Sequence, residues 1–196
     1  MAFEDYTTKP SVVIVYTGNS KGKTSASLGL MCRALGRGWK VAYIQFIKDW
    51  EVGEHTFIRT IEPLFKDKLT FYKGGKGFYN AGELTGRQED GSVKQASEAE
   101  HQQSAAQTLE FALQCAKSGE YNLVICDEIN NAVNDGLLTT AQLAQLLDSR
   151  TPATSLCLTG RNFPPSLLPK VDIATNMAKI KHHFDDKYLA NQGIDY

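Results

Sequence analysis

Lys23 and Thr24 are the residues of this 196-residue chain whose surroundings most plainly prepare chemistry. They close the stretch Thr17-Gly18-Asn19-Ser20-Lys21-Gly22-Lys23-Thr24, which follows the β-branched run Val12-Val13-Ile14-Val15-Tyr16 and opens an apolar-periodic segment. Strand, glycine-bearing loop and helix start is the order in which backbone N–H groups curl around a phosphate and the helix end adds partial positive charge. In such a P-loop the lysine supplies a mobile ammonium for phosphate oxygens, and the threonine offers its hydroxyl to Mg²⁺. Ser25 adds a further hydroxyl. The usual spacing asks for glycine five residues before Gly22; Thr17 stands there, and the glycine comes one place later as Gly18. Ser20 falls where the loop is expected to need a positive φ, which costs a non-glycine residue about 1–2 kcal/mol.

A second carboxylate-bearing segment lies about a hundred residues on, where Leu123-Val124-Ile125-Cys126 delivers Asp127-Glu128. A buried strand ending in an acid is how a Walker B segment presents a carboxylate to the metal held by the loop threonine. Alone the pattern is common. Downstream of a P-loop it places Asp127 or Glu128 near Mg²⁺ (or Mn²⁺), directly or through water. The histidines supply no competing site: His182 and His183, on a strand, face opposite ways, and His55 and His101 have no partner at ligand spacing. No Ser-His-Asp or Cys-His arrangement is supported.

The elements needed to position these groups are an alternation of strands and helices. Val12 to Tyr16 is a central strand, Gly22 to Leu35 a helix stopped by Gly36-Arg37-Gly38, and Trp39 to Ile47 a second strand. Lys48 to Glu62 reads as irregular. Leu69 to Tyr72 is a short strand running into Gly74, Gly75, Gly77 and Gly82, which suggest a loop that moves or admits a ligand. The polar stretch to about Val93 reads as a lid carrying Phe78 and Tyr79. Glu98 to Lys117 is a long helix, Asn122 to Cys126 a strand, and Thr140 to Leu147 a helix opened by a capping box at Thr139–Gln142. Thr154 to Leu158 is a strand ending at Thr159-Gly160-Arg161. Pro164-Pro165 opens a short helix, Asp172 to Ile180 is a last strand, and the tail is irregular with turns.

This is an α/β fold: a mostly parallel sheet flanked by helices in three layers, of the RecA-like P-loop NTPase kind, in one domain over 1–196 with 1–11 a mobile arm. Ligands bind at the carboxyl ends of such strands. That rule gathers Gly18–Thr24, Gln45–Glu54, Gly74–Asn80, Asp127–Asn131 and Thr159–Arg161 on one edge. Lys+Arg 21 against Asp+Glu 22 gives a net charge of −1, which offers no global pull toward nucleic acid or an anionic membrane. No apolar run approaches a membrane span, and the polar start is no signal peptide. Cys32, Cys115, Cys126 and Cys157 are widely spaced in apolar segments, as expected of reduced core thiols in a cytoplasmic protein.

Several segments, in chain order, resemble one family. Thr17–Thr24 is similar to the TGNGKGKT loop of the P-loop corrinoid adenosyltransferases (ATP:cob(I)alamin adenosyltransferases of the CobA/BtuR type), whose glycine spacing carries the same one-place shift. Gln45-Phe46-Ile47-Lys48 resembles their QFIKG segment, followed by Gly53-Glu54. Gly77-Phe78 resembles the GF of the corrin-facing loop, Asp127-Glu128 the DE, and Thr159-Gly160-Arg161 the TGR. Lys181-His182-His183-Phe184-Asp185 and Gly193-Ile194-Asp195-Tyr196 resemble the KHxFD and GI[DE]Y tail, which no generic NTPase reproduces. Three features depart from the pattern: Ser20 replaces a loop glycine, Asn80 stands where a tryptophan is expected, and the longer N-terminal helical extension of some members is lacking.

The resemblance implies transfer of the 5′-deoxyadenosyl group of ATP to the cobalt of a reduced corrinoid, cobalamin or a precursor, with release of triphosphate. It implies ATP contacts from Thr17, Gly18, Asn19, Ser20, Lys21, Gly22, Lys23, Thr24 and Ser25, with Asn130 and Arg161 as further candidates. Metal ligands would come from Thr24, Glu128 and Asp127, and corrinoid contacts from Gln45, Glu54, Phe78, Tyr79 and Asn80. Lys23, Thr24, Glu128 and Phe78 are the residues expected to carry the reaction, Phe78 by excluding the lower axial ligand of cobalt. A reduced flavoprotein donor and a homodimer are implied by the family alone. A nucleotide kinase or RecA-like ATPase, and a non-catalytic corrinoid carrier, are the other classes compatible with these residues.

Overall fold

The computed structural model describes residues 5–77, 79 and 96–196. Six strands form one sheet in the order β3-β2-β4-β5-β1-β6, with every pairing parallel: β1 (Val13–Thr17), β2 (Val41–Gln45), β3 (Leu69–Lys73), β4 (Leu123–Asp127), β5 (Ser155–Thr159) and β6 (Ile173–Asn176). The helices are α1 (Lys23–Gly36), α2 (Gly53–Ile61), α3 (Glu98–Lys117), α4 (Ile129–Asn134) and α5 (Thr140–Ser149), with short 3-10 turns at Glu62–Phe65, Pro165–Lys170 and His183–Asp186.

Strand side chains alternate between two cores, as a period of two requires. Val13, Val15, Ala42, Ile44, Val124, Cys126, Leu156 and Leu158 face one core, which α3 and α5 close with Ala105, Leu109, Ala112, Leu143 and Leu146. Ile14, Val41, Tyr43, Leu123, Ile125 and Cys157 face the other, closed by Met31, Ala34 and Leu35 of α1 and Ile58 of α2. The central strands β2, β4 and β5 are buried along their whole length, which is why they read as near-continuous apolar runs. The expected capping box of Thr139 with Gln142 opens α5, and a second, of Ser97 with Glu100, opens α3.

Several sequence expectations are corrected. Lys48 to Glu62 is not irregular throughout, because α2 occupies Gly53–Ile61, with His55 and Ile58 buried and Ile61 packed against the same core. The short helix α4 follows Glu128 directly, where no helix was expected. The last strand is four residues long and exposed at the edge of the sheet, and Met177, just after it, bonds the phosphate loop. His182 and His183 lie at a 3-10 turn of the tail, with ring centroids 4.7 Å apart. Cys32 is exposed, while Cys115, Cys126 and Cys157 are buried free thiols. Of the expected N-terminal arm, Lys9 pairs with Asp172, and buried Ser11 donates to the Pro152 carbonyl at 2.7 Å.

Gly74 and Gly75 are packed closely against neighbouring elements. The Gly74 N–H donates to the Gln45 carbonyl at 3.0 Å, its carbonyl accepts from Ser104 Oγ, and Gly77 N–H donates to the Ile47 carbonyl at 2.8 Å. A Cβ on Gly74 would stand 1.8 Å from Thr108 Oγ1, and one on Gly75 would stand 2.2 Å from the Ile47 backbone. These glycines let the continuation of β3 lie against its neighbours. The expected lid at about 80–95 lies outside the described residues.

Candidate active site

The carboxyl ends of the strands gather the expected loops. After β1 the chain turns through a loop whose positive φ values fall on Gly18 and Gly22, both at 106°, and Ser20 carries none. The one-place glycine shift is thus the position the backbone needs, and the expected strain at Ser20 is absent. The loop is clamped from the edge of the sheet: Met177 N–H donates to the Thr17 carbonyl at 2.8 Å, and Ser20 N–H donates to the Met177 carbonyl at 3.1 Å. Thr17 Oγ1 accepts from Phe163 N–H at 3.2 Å. Lys23 Nζ donates to the carbonyls of Gly18 at 2.8 Å and Ser20 at 2.6 Å. Burial lowers the Lys23 pKa, with Arg161 adding to the effect and Glu128 and Asp127 opposing it. Lys21 pairs with Asp195, whose side chain is 4% exposed in a tail that is otherwise mostly open to solvent.

Because β5 lies between β4 and β1 in the sheet, Asp127 at the end of β4 reaches the loop across β5. The gap is bridged by hydroxyls. Thr24 Oγ1 donates to Asp127 Oδ1 at 3.1 Å, and Thr159 Oγ1 donates to the same oxygen at 2.7 Å while accepting from Glu128 N–H at 2.9 Å. Gln45 Nε2 donates to Asp127 Oδ2 at 3.3 Å, and Lys48 Nζ stands 3.7 Å from it. Asp127, wholly buried, is therefore surrounded by donors.

Glu128 is the opposite case. Its backbone is left-handed, φ 64°, and its Oε2 is buried without a hydrogen-bond partner. Burial raises its carboxyl to about 7, with Asp127 and Glu54 adding to the rise and Lys48 and Lys23 opposing it. A carboxylate oxygen with no hydrogen-bond partner of its own is the kind of donor a hard cation takes as ligand. Among the described residues no cluster of three His, Cys, Asp or Glu side chains is set to hold a metal by itself. Thr24 and Glu128 fit a Mg²⁺ held jointly with nucleotide phosphates, which needs only one or two protein oxygens. Lys48 is itself held: burial pulls its pKa down, but Asp127, Glu128 and a 2.6 Å hydrogen bond to Glu54 outweigh that and raise it.

The resemblance implies corrinoid contacts from Gln45 and Glu54, and both side chains have protein partners. Gln45 is 1% exposed, with its amide spent on Asp127 and His55, and Glu54 is spent on Lys48. Asn130 is buried, its amide N–H bonded to the Gly160 carbonyl at 3.3 Å and its Oδ1 without a partner. Gly160 must be glycine here: its φ is 129°, and a Cβ would stand 2.8 Å from that of Asn130. Arg161 is exposed, its N–H bonded to Asn131 Oδ1. Asn19 and Ser25 are exposed, and Asn19 lines an open pocket of about 530 Å³ with Thr17, Gly18, Asn162, Phe163 and Lys179. Tyr79 meets His101 edge-on at 5.5 Å and packs against the α3 core. Phe78 and Asn80 lie outside the described residues. Sequence reasoning missed Lys48 and Thr159 as members of the site, although both belong to motifs that it quoted.

Comparison with known proteins agrees with this constellation. The family model for ATP:corrinoid adenosyltransferases of the BtuR/CobO/CobP type matches residues 9–196. A corrinoid adenosyltransferase of Pseudomonas aeruginosa is 30% identical over 186 residues, covering 94% of this chain and 83% of that protein. One from a Sinorhizobium species is 31% identical over 192 residues, covering 97% and 82%. The flagellar accessory protein FlaH of Methanocaldococcus jannaschii shares the fold, with a TM-score of 0.52 at 12% identity over 86% of this chain and 71% of that one. No helix among the described residues is long and apolar enough to cross a membrane. With its phosphate loop, its Asp-Glu pair and its tail all inside the matched span, the chain belongs to the ATP:corrinoid adenosyltransferase family.

Proposed function

We propose that this chain moves the 5′-deoxyadenosyl group of ATP onto the cobalt of a cob(I) corrinoid, releasing triphosphate, in the synthesis or salvage of cobalamin. Cobalt(I) supplies the electron pair of the new Co–C bond. The C5′–O bond breaks, and its electron pair leaves with the triphosphate. Since the metal centre is itself the nucleophile, the protein needs no general base, and its task is to stabilise a leaving group. The observation that carries the reading is the meeting of Lys23, Thr24, Asp127, Glu128 and Lys48 at the phosphate loop, inside a chain whose family match also covers the tail.

Lys23 and the loop amides would bind the phosphate oxygens, with Lys21 beside them and Arg161 as a further contact. Mg²⁺ on Thr24 and Glu128 would add charge neutralisation to the triphosphate. The buried, unpartnered Oδ1 of Asn130 and the pocket beside Asn19 support these two residues as ribose or adenine contacts. Phe78, with Tyr79, is assigned the exclusion of the lower axial ligand by its motif; Asn80 stays with it as a corrin contact. A reduced flavoprotein donor, a homodimer and a cytoplasmic setting complete the reading and rest on the family's chemistry.

The test is an anaerobic reaction of the protein with MgATP and chemically reduced cob(I)alamin. Loss of the cob(I) absorbance, a light-sensitive product and free triphosphate are expected. Release of ADP without adenosylation would move the chain to the kinase or ATPase class.

A further inference from the structure

His55, in the first turn of α2, is the buried polar side chain that the site described above leaves without a task. Its ring is fully buried, packed at 5.7 Å from the Phe71 ring in the core that also holds Ile58. An imidazole withdrawn from water is unfavourable unless it is hydrogen-bonded. Its Nε2 lies 2.5 Å from Gln45 Oε1. From Gln45 the line continues to Asp127 Oδ2 at 3.3 Å, and from Asp127 Oδ1 to Thr24 Oγ1 at 3.1 Å. A row of side chains thus joins α2 through β2 and β4 to the phosphate loop.

The chemistry of the groups fixes the direction of each bond. A carboxylate only accepts, so Gln45 must offer Asp127 its amide N–H. The Gln45 carbonyl then faces His55 and also only accepts, so His55 carries its proton on Nε2. Its Nδ1 is left bare, buried and without a hydrogen-bond partner, 3.7 Å from Glu51 Oε2. A glutamine has no intrinsic preference between its two amide orientations. Turned over, Gln45 would present its carbonyl to Asp127, and oxygen would face oxygen.

We propose that His55 is a positioning residue: by donating from Nε2 it locks the Gln45 amide with its N–H on Asp127. Asp127 is thereby kept saturated by Gln45, Thr24 and Thr159, the Thr24 hydroxyl is held in orientation, and the open oxygen of Glu128 is the carboxylate left for a nucleotide-bound cation. This inference rests on the reading of Thr24 and Glu128 as the Mg²⁺ ligands. It differs from a space-filling role, in which any apolar side chain of similar size would serve.

The test compares calorimetric affinities for MgATP and for ATP in chelator, using the whole chain as wild type, His55→Leu and His55→Gln. Glutamine places an N–H near the Nε2 position, and leucine does not. Wild type is expected to bind MgATP more tightly than metal-free ATP. His55→Leu should lose about tenfold of that advantage with metal-free affinity unchanged, and His55→Gln should recover most of it. An advantage retained in His55→Leu, or an equal loss of both affinities, overturns the positioning role. A wild type without any metal advantage refutes the Thr24–Glu128 metal reading, and this inference falls with it. ¹⁵N resonances of the wild-type imidazole provide a check that needs no variant to fold: at neutral pH the proton belongs on Nε2, and a proton on Nδ1 overturns the proposal.

Discussion

Glu128 concentrates unfavourable features in one residue: a left-handed backbone at φ 64° and a buried oxygen with no donor. Such a conformation costs a non-glycine residue about 1 kcal/mol or more, and it persists where the surroundings over-determine it, typically at functional sites. Asp127, one residue earlier, has donors on both oxygens. The two acids of one motif thus divide the work, one bracing the loop threonine and the other left open. Glu128→Gln should fold as well as wild type in thermal melts, because the amide removes a hard-to-bury charge. Its adenosylation rate should fall about 10²-fold or more, as loss of a group acting on the leaving triphosphate implies. A rate within a few-fold of wild type across a Mg²⁺ titration would remove Glu128 from the site. The sequence named this pair but could not tell which acid does which. The difference comes from Gln45, Thr159 and Thr24, each contributed by a different strand end or helix start.

Among the elements, the phosphate loop is the one held most closely from outside itself. Gly18 lies under the turn that follows β6: its φ is 106°, and a Cβ would come within 2.4 Å of Asn176 Oδ1 and 2.6 Å of the Met177 carbonyl. Gly18→Ala therefore meets both backbone strain and a clash with main chain. A loss of about 2–4 kcal/mol is expected, seen as a melting temperature several degrees lower with weaker ATP binding. Melting unchanged within a degree would show that the clamp gives way. The loop, the three central strands and the long α3 were legible because each writes a local pattern: glycine and lysine spacing, apolar runs, a 3.6 period. Helix α2 was not, although Val52, His55, Ile58 and Ile61 recur every third residue, because the stripe is short and includes a histidine. Nor were Gly74 and Gly75, whose need for hydrogen at Cα comes from Thr108 and Ile47, distant in sequence.

At the scale of the whole molecule, the two ends of the chain are tied to opposite rims of the sheet. At the amino rim Asp172 Oδ2 accepts from Val13 N–H at 2.8 Å and Asp172 pairs with Lys9, joining the N-terminal segment, β1 and the start of β6. The Lys9 hydrogen bond, and then the Val13 N–H, hold the Asp172 carboxyl below its ordinary value. A depressed acid contributes stability that is present above its unfolded pKa and lost as pH falls through the folded one. Asp172→Asn should thus be less stable than wild type by about 1 kcal/mol at pH 7, a modest value because Lys9 is largely exposed. In acid, once both states are protonated, the two proteins should melt together. A gap that persists there would assign the loss to packing. These long-range ties, like the Lys21–Asp195 pair at the other rim, join residues far apart in the chain, so no local pattern announces them.

Tyr196 ends beside Gly53, 3.7 Å from where a Cβ would stand, one residue after the partner of Lys21. An affinity tag or fused reporter carried after Tyr196 would emerge over the nucleotide loop, and a polyhistidine tag would bring metal-chelating groups to its mouth. A label attached at Lys9 itself would sit at the opposite rim of the strands, beside Asp172 and away from that loop.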